Sequence, residues 1–106
     1  MKKYLFHGSC TPEGFRGLLA EGGSKRIEAA RQALISAGES LEAFYFSSGG
    51  EDFYIIVNLP DDVSAMAVTL AGNVSGTFRI QGVALLTPEE MDRAVKMSID
   101  FRPPGR

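Results

Sequence analysis

The residues able to do chemistry are few, and their spacing decides which chemistry is open to them. His7 is the single histidine, and the single cysteine, Cys10, follows it by three positions. An imidazole near the end of a short strand can serve as a general base or as a haem or metal ligand. One histidine with one thiol and no second histidine is poor spacing for a metal, so none is expected. The plainer reading of His7 is a hydrogen-bonded residue at a sheet edge, satisfied by one donor and one acceptor. A Cys–His pair works only where the thiolate is stabilised at an accessible site, and the plainer reading of Cys10 is a small half-buried residue. No catalytic residue is assigned.

Two further groups can hold a ligand. Gly22-Gly23-Ser24-Lys25-Arg26 sets backbone N–H groups at a helix start beside two cations, an arrangement that holds a phosphate or carboxylate. It lacks the spacing of a nucleotide-binding loop, and the plainer reading is a capped kink with solvated charges. Ser24, Lys25 and Arg26 are therefore the candidate anion site. Side-chain alternation puts Arg79 and Gln81 on one face of their strand, where Tyr54, Asn58 and His7 can join them as a candidate ligand-binding set. An arginine enclosed there needs an anion, and Asp52 or a bound acid is the natural partner. The competing reading makes these five residues the lining of a dimer seam. The four Met and seven Phe are read as core rather than as a cofactor pocket, and no cofactor is expected.

These side chains have to be positioned by regular elements. Tyr4-Leu5-Phe6-His7, closed by Gly8, reads as a first strand. Thr11-Pro12-Glu13 supplies a cap, a proline at the first helical position and an acid at the positive end of the dipole. Phe15, Leu18 and Leu19 form the apolar stripe of that helix until Gly22-Gly23 interrupts it. Ser24 can then cap a continuation through Ile27, Ala30, Leu34 and Ala37, ended by Gly38. Residues 41–48 and 53–59 are rich in β-branched and aromatic residues, and the Gly49-Gly50-Glu51-Asp52 turn joins them as a hairpin. Pro60-Asp61-Asp62 opens a helix whose apolar positions Val63, Met66, Ala67, Leu70 and Val74 keep helical spacing as far as Gly76. Residues 78–86 make a fourth strand, with Gly82 as a bulge or bend. Thr87-Pro88-Glu89-Glu90 is a capping box that opens a short helix carrying Met91, Ala94 and Val95.

The order β-α-β-β-α-β with a terminal helix specifies an α+β fold of ferredoxin-like topology. It places a four-stranded antiparallel sheet against two main helices on one face. Along the third strand Phe53, Ile55, Val57 and Leu59 suit the helix side, whereas Asp52, Tyr54, Ile56 and Asn58 point the other way and are together too apolar for water alone. A homodimer that covers the open face is the expected partner arrangement. The chain of 106 residues, 44% apolar, suits one domain over 1–100 with a flexible tail at 101–106. Eleven basic and 13 acidic residues leave a net charge of -2 with no basic stripe, so nucleic acid is not expected as a partner. A free thiol and a start without a long apolar run point to the cytoplasm, away from membranes and secretion.

Tyr4-Leu5, Thr11-Pro12-Glu13-Gly14, Ser24-Lys25-Arg26, Phe44-Tyr45-Phe46, the Gly49 to Asp52 turn and Leu59-Pro60-Asp61-Asp62 together resemble the GYD-domain family, over about Lys3 to Lys96. The chain departs from the Gly, Tyr, Asp signature that names that family by carrying Glu51 before Asp52. The resemblance implies a dimeric α+β barrel, two ferredoxin-like sheets packed open face to open face, and implies no reaction. The expected function is a dimeric module that binds a small organic molecule, in particular an anion. The alternatives are a cofactor-independent monooxygenase- or isomerase-like enzyme, by analogy with other dimeric α+β barrels, and a purely structural or assembly protein.

Overall fold

The computed structural model describes every residue except Ala37, so the expected last apolar position of the second helical segment lies outside the described residues. The elements run β1 (Lys2–Cys10), α1 (Pro12–Glu21), α2 (Gly23–Ser36), β2 (Ser40–Phe46), β3 (Phe53–Leu59), α3 (Asp62–Val74), β4 (Phe78–Leu85) and α4 (Pro88–Val95). The strands form one four-stranded sheet in the order β2-β3-β1-β4, every neighbouring pair antiparallel. This is the α+β, ferredoxin-like architecture that the alternation of elements requires.

β1 does not end at Gly8. Its pairing with β4 runs on to Cys10 opposite Phe78, and a Cβ at Gly8 would lie 1.8 Å from the Arg79 carbonyl oxygen. Glycine here permits a close approach of two strands instead of closing one. Gly82 makes no bulge either: it pairs in register with Phe6, whose ring fills the space a side chain would take. The irregularity falls in β2, where the register shifts between Leu41 and Ala43.

The first helix breaks as its sequence demands. Thr11 caps α1, its side chain accepting from the Gly14 N–H, and Gly22 ends it with φ 83° and ψ 167°, a conformation essentially confined to glycine. α2 then starts at Gly23, so Ser24 lies inside its first turn and is not its cap. Asp61 caps α3 by accepting from the Ser64 N–H, and Thr87 and Glu90 close a complete capping box on α4.

Tyr4, Phe6, Leu34, Val57, Leu59 and Ala65 form the buried core, with Phe53 also buried beside it. The β3 alternation holds, but the helical stripes do not. Phe15 and Leu19 of α1 are exposed, as are Val63, Met66, Leu70 and Val74 of α3. α3 meets the core through Ala65 and Val68, so the large side chains at the expected spacing face outward. All four methionines and Phe15, Phe46 and Phe101 are exposed, which corrects their assignment to the core. No described helix is long and apolar enough to cross a membrane.

Candidate functional site

On the open face of the sheet, the pairing registers arrange the side chains in rows. Ala43, Ile56, Leu5 and Val83 make an apolar row; beside it run Tyr45, Tyr54, His7 and Gln81. The next row on one side holds Ser40, Asn58, Lys3 and Leu85, and on the other Arg79 stands opposite Ser9. His7, Tyr54, Asn58, Arg79 and Gln81 thus share one face. Only His7, Tyr54 and Gln81 are in one row, with the His7 and Tyr54 rings 6.4 Å apart. His7 Nδ1 lies 2.9 Å from Glu51 Oε1, so the glutamate in the signature position is the partner of the lone histidine. Asn58 is engaged by Lys3 at 3.5 Å, and Lys3 also pairs with Glu42, which holds that carboxyl below its usual range.

Asp52, the expected partner of Arg79, instead accepts from the Cys10 backbone N–H at 3.0 Å, and Arg79 is exposed. That arrangement also decides the state of Cys10. Burial first, and then the Asp52 charge, push its thiol up, so the thiolate a nucleophile requires is disfavoured.

On the other face the helices do not close over the sheet. Between α1, α2 and α3 and the strands lies a cavity of about 660 Å³, within the range of small-molecule sites. Its floor is Phe6, Phe44, Phe53, Ile55, Val57 and Ile80. On its helical walls Ala30 and Ala33 of α2 and Ala67, Ala71 and Gly72 of α3 stand beside the larger Leu18, Leu34 and Val68. Ala33, Ala67 and Ala71 are exposed, so the space between the two helices opens to solvent. Alternation on β3 identifies this floor; the alanines of the walls carried no sequence signal for the cavity, because alanine also reads as ordinary helix former.

Four charged side chains line the cavity: Glu13, Glu21, Arg26 and Glu39. Arg26 lies with its guanidinium 5.8 Å from the Phe78 ring centroid and 3.7 Å from Glu21 Oε1. Ser24 and Lys25 are exposed and outside the lining, so the expected anion cluster is dispersed, with Arg26 alone turned inward. Glu39 was not singled out from the sequence. It follows α2, its N–H donates to the Leu34 carbonyl at 2.9 Å, and its Oε2 is enclosed with no hydrogen-bond partner among the described residues. Burial and then the negative charge of Asp61 push its carboxyl up. Among the described residues, no three His, Cys, Asp or Glu side chains converge as a metal cluster.

An antiparallel β2-β3-β1-β4 sheet with an apolar cleft, half open to solvent, between it and α1, α2 and α3 defines a ferredoxin-like α+β protein. The GYD domain family matches residues 4–95, most of the chain, and the chain belongs to that family. Neither curated proteins nor solved structures provide a match.

Proposed function

We propose that this GYD-domain protein is a homodimeric module that binds a small organic molecule between its helices and its sheet. The cavity of about 660 Å³, lined mainly by Phe, Ile, Val and Ala, carries the reading. An apolar cleft of this size, half open to solvent, is the kind of surface that a small organic molecule covers. The dimer reading is supported by the apolar row Ala43, Ile56, Leu5 and Val83 on the open face, which a second copy covers with its own equivalent surface.

Mass spectrometry under non-denaturing conditions is the test. The expected result is a dimer mass with up to one small organic adduct per subunit, and an adduct lost in a variant whose cavity is filled by Ala67→Trp. A protein that carries no adduct and binds no apolar probe in either form overturns the reading.

One observation favours an enzyme as the second reading. The His7–Glu51 contact of 2.9 Å is the kind of carboxylate–imidazole pair that orients a general base. It sits on the open face, however, and none of His7, Tyr54, Asn58, Arg79 and Gln81 lines the cavity. Proton-transfer activity lost in His7→Gln, with the melting temperature unchanged, would favour that reading over binding alone.

A further inference from the structure

The chain exposes more surface than a folded monomer of its size does. Its accessible surface is 7434 Å², against ~5,800 Å² for a compact chain of this mass. The excess of roughly 1,700 Å² is larger than the ~800 Å² that each partner buries in an interface of standard size and falls in the range of an obligate dimer.

Part of that excess lies in one continuous stretch. Every residue of 91–102 is exposed, and α4 has no buried residue. A solvated tail would be polar throughout, and this one is not. Met91 and Val95 lie one turn apart on α4, and beyond the helix Met97, Ile99 and Phe101 alternate with Ser98, Asp100 and Arg102. Such alternation is the pattern of a strand with one covered face. The backbone of this arm is also free to pair. The Met97 N–H donates to the Ala94 carbonyl at 3.1 Å, and among the described residues the next backbone N–H to reach a carbonyl is that of Arg106, donating to Pro103 at 3.3 Å.

The outer strands of the sheet differ in what they offer to such a segment. On β4 the Asn73 side chain accepts from the Ile80 N–H at 3.0 Å and donates to the Ile80 carbonyl at 2.8 Å, so that edge is already engaged. Along 43–46 of β2 the backbone bonds to nothing outside β3 among the described residues, and Tyr45 and Phe46 are exposed there. An edge of this kind is where another chain pairs. Within one chain, β2 and β4 are the two outer strands, so the arm leaves the sheet at the side away from β2. A second copy brings the two together. Leu85, Lys3, Asn58 and Ser40 share a row, which sets the end of β4 and the start of β2 at the same end of the sheet. Two copies packed open face to open face about a twofold axis along the strands place β2 of one over β4 of the other, beside the point where the arm emerges.

Resting on the dimer reading above, we propose that the two copies exchange their C-terminal arms. Residues 97–102 of each add as a strand to the outer edge of β2 in the other, alternate backbone N–H groups of the arm pairing with that edge. Met97, Ile99 and Phe101 continue the covered face beside the partner's Ala43 and the partner's Tyr45. Because the contact is reciprocal, it closes the assembly at two chains.

Hydrogen exchange, photocrosslinking and light scattering on the full chain test this. The amides of 98–102 are expected to be protected in the wild-type dimer. In a Cys10→Ser, Phe101→Cys chain carrying a benzophenone maleimide, irradiation is expected to give a covalent dimer, with the crosslink in the stretch 40–46 of the other copy. Ile99→Asp is expected to raise the dimer dissociation constant at least about tenfold. A wild-type dimer whose 98–102 amides exchange as fast as in an unfolded chain, a crosslink that forms within one chain or away from β2, or an Ile99→Asp dimer as tight as the wild type would overturn the arm exchange and leave the dimer reading standing. A wild-type chain that scatters light as a monomer would overturn the dimer reading, and the arm exchange with it. The hydrogen-exchange measurement uses the wild type and does not depend on any variant folding.

Discussion

At the scale of single residues, reactivity here follows from what surrounds each group more than from its type. Cys10 has the thiol of a nucleophile, but burial and Asp52 hold it protonated. Its alkylation by iodoacetamide at mildly alkaline pH is expected to be slower than that of glutathione, and a faster rate would contradict this environment. If His7 and Cys10 are structural, His7→Gln and Cys10→Ser should each cost about 1 kcal/mol in thermal or denaturant melts. Glu39 gives a pH dependence whose sign is fixed. Its folded carboxyl titrates above the ordinary glutamate range, so the folded protein keeps a proton that the unfolded chain has released. Stability from this group is fully present below that range and is lost as pH rises through the folded value. Glu39→Gln cannot ionise. Its melting temperature should therefore gain on the wild type as pH rises from about 4 towards neutrality, and a gap that is constant with pH would show that Glu39 is not strained.

At the scale of elements, the break between α1 and α2 rests on one backbone conformation. Gly22 has φ 83° and ψ 167°, where a Cβ is strained, so Gly22→Ala is expected to lose about 1–3 kcal/mol although the side chain would meet open space. A neutral result would mean that the two helices can join without that turn. Thr11 links elements in a second way. It accepts from the Gly14 N–H at 3.2 Å and donates to the Gly76 carbonyl at 2.8 Å, tying the start of α1 to the loop after α3. Thr11→Ala should cost about 1 kcal/mol or somewhat more, and chemical denaturation would measure it. The same tie holds α1 and α3 at the rim of the cavity, so it bears on the proposed site as well as on stability.

At the scale of the whole molecule, the chain is extended for its length. Its radius of gyration is 17.0 Å, against ~13 Å for a compact chain of this size, and its longest dimension is 57 Å. Met91 and Val95 of α4 and Met97, Ile99 and Phe101 beyond it are exposed, as is much of the open face. In the proposed dimer Ile56→Asp sets a carboxylate against its symmetry mate in the covered face, each ion losing several kcal/mol of hydration. Dissociation or unfolding is expected by light scattering. Lys25→Glu, exposed on α2 on the opposite side of the sheet, is the control and should leave assembly intact. Glu42 is unsuitable as a control because it pairs with Lys3 on the open face. An Ile56→Asp protein that stays dimeric and stable would place the interface elsewhere.

Much of the architecture is written locally. The alternation of Phe53, Ile55, Val57 and Leu59, the caps at Thr11, Asp61 and Thr87, and the glycines at 22 and 23 act over a few residues, so the element order and the fold class follow from the sequence alone. The sharing of one face by His7, Tyr54, Asn58, Arg79 and Gln81 also follows, because strand parity and hairpin pairing carry it. Tertiary packing decided the rest. Which side of α3 meets the core depends on how close the helix comes to β4, and a close approach selects Ala65 and leaves Met66 and Leu70 outside. The partner of His7 comes from a loop 44 residues away, and the cavity brings together residues of separate helices over one face of the sheet. Periodicity reports which residues lie on one face of an element; it carries no information about the distance at which the next element stops, and that distance made the difference between a filled core and an open cleft.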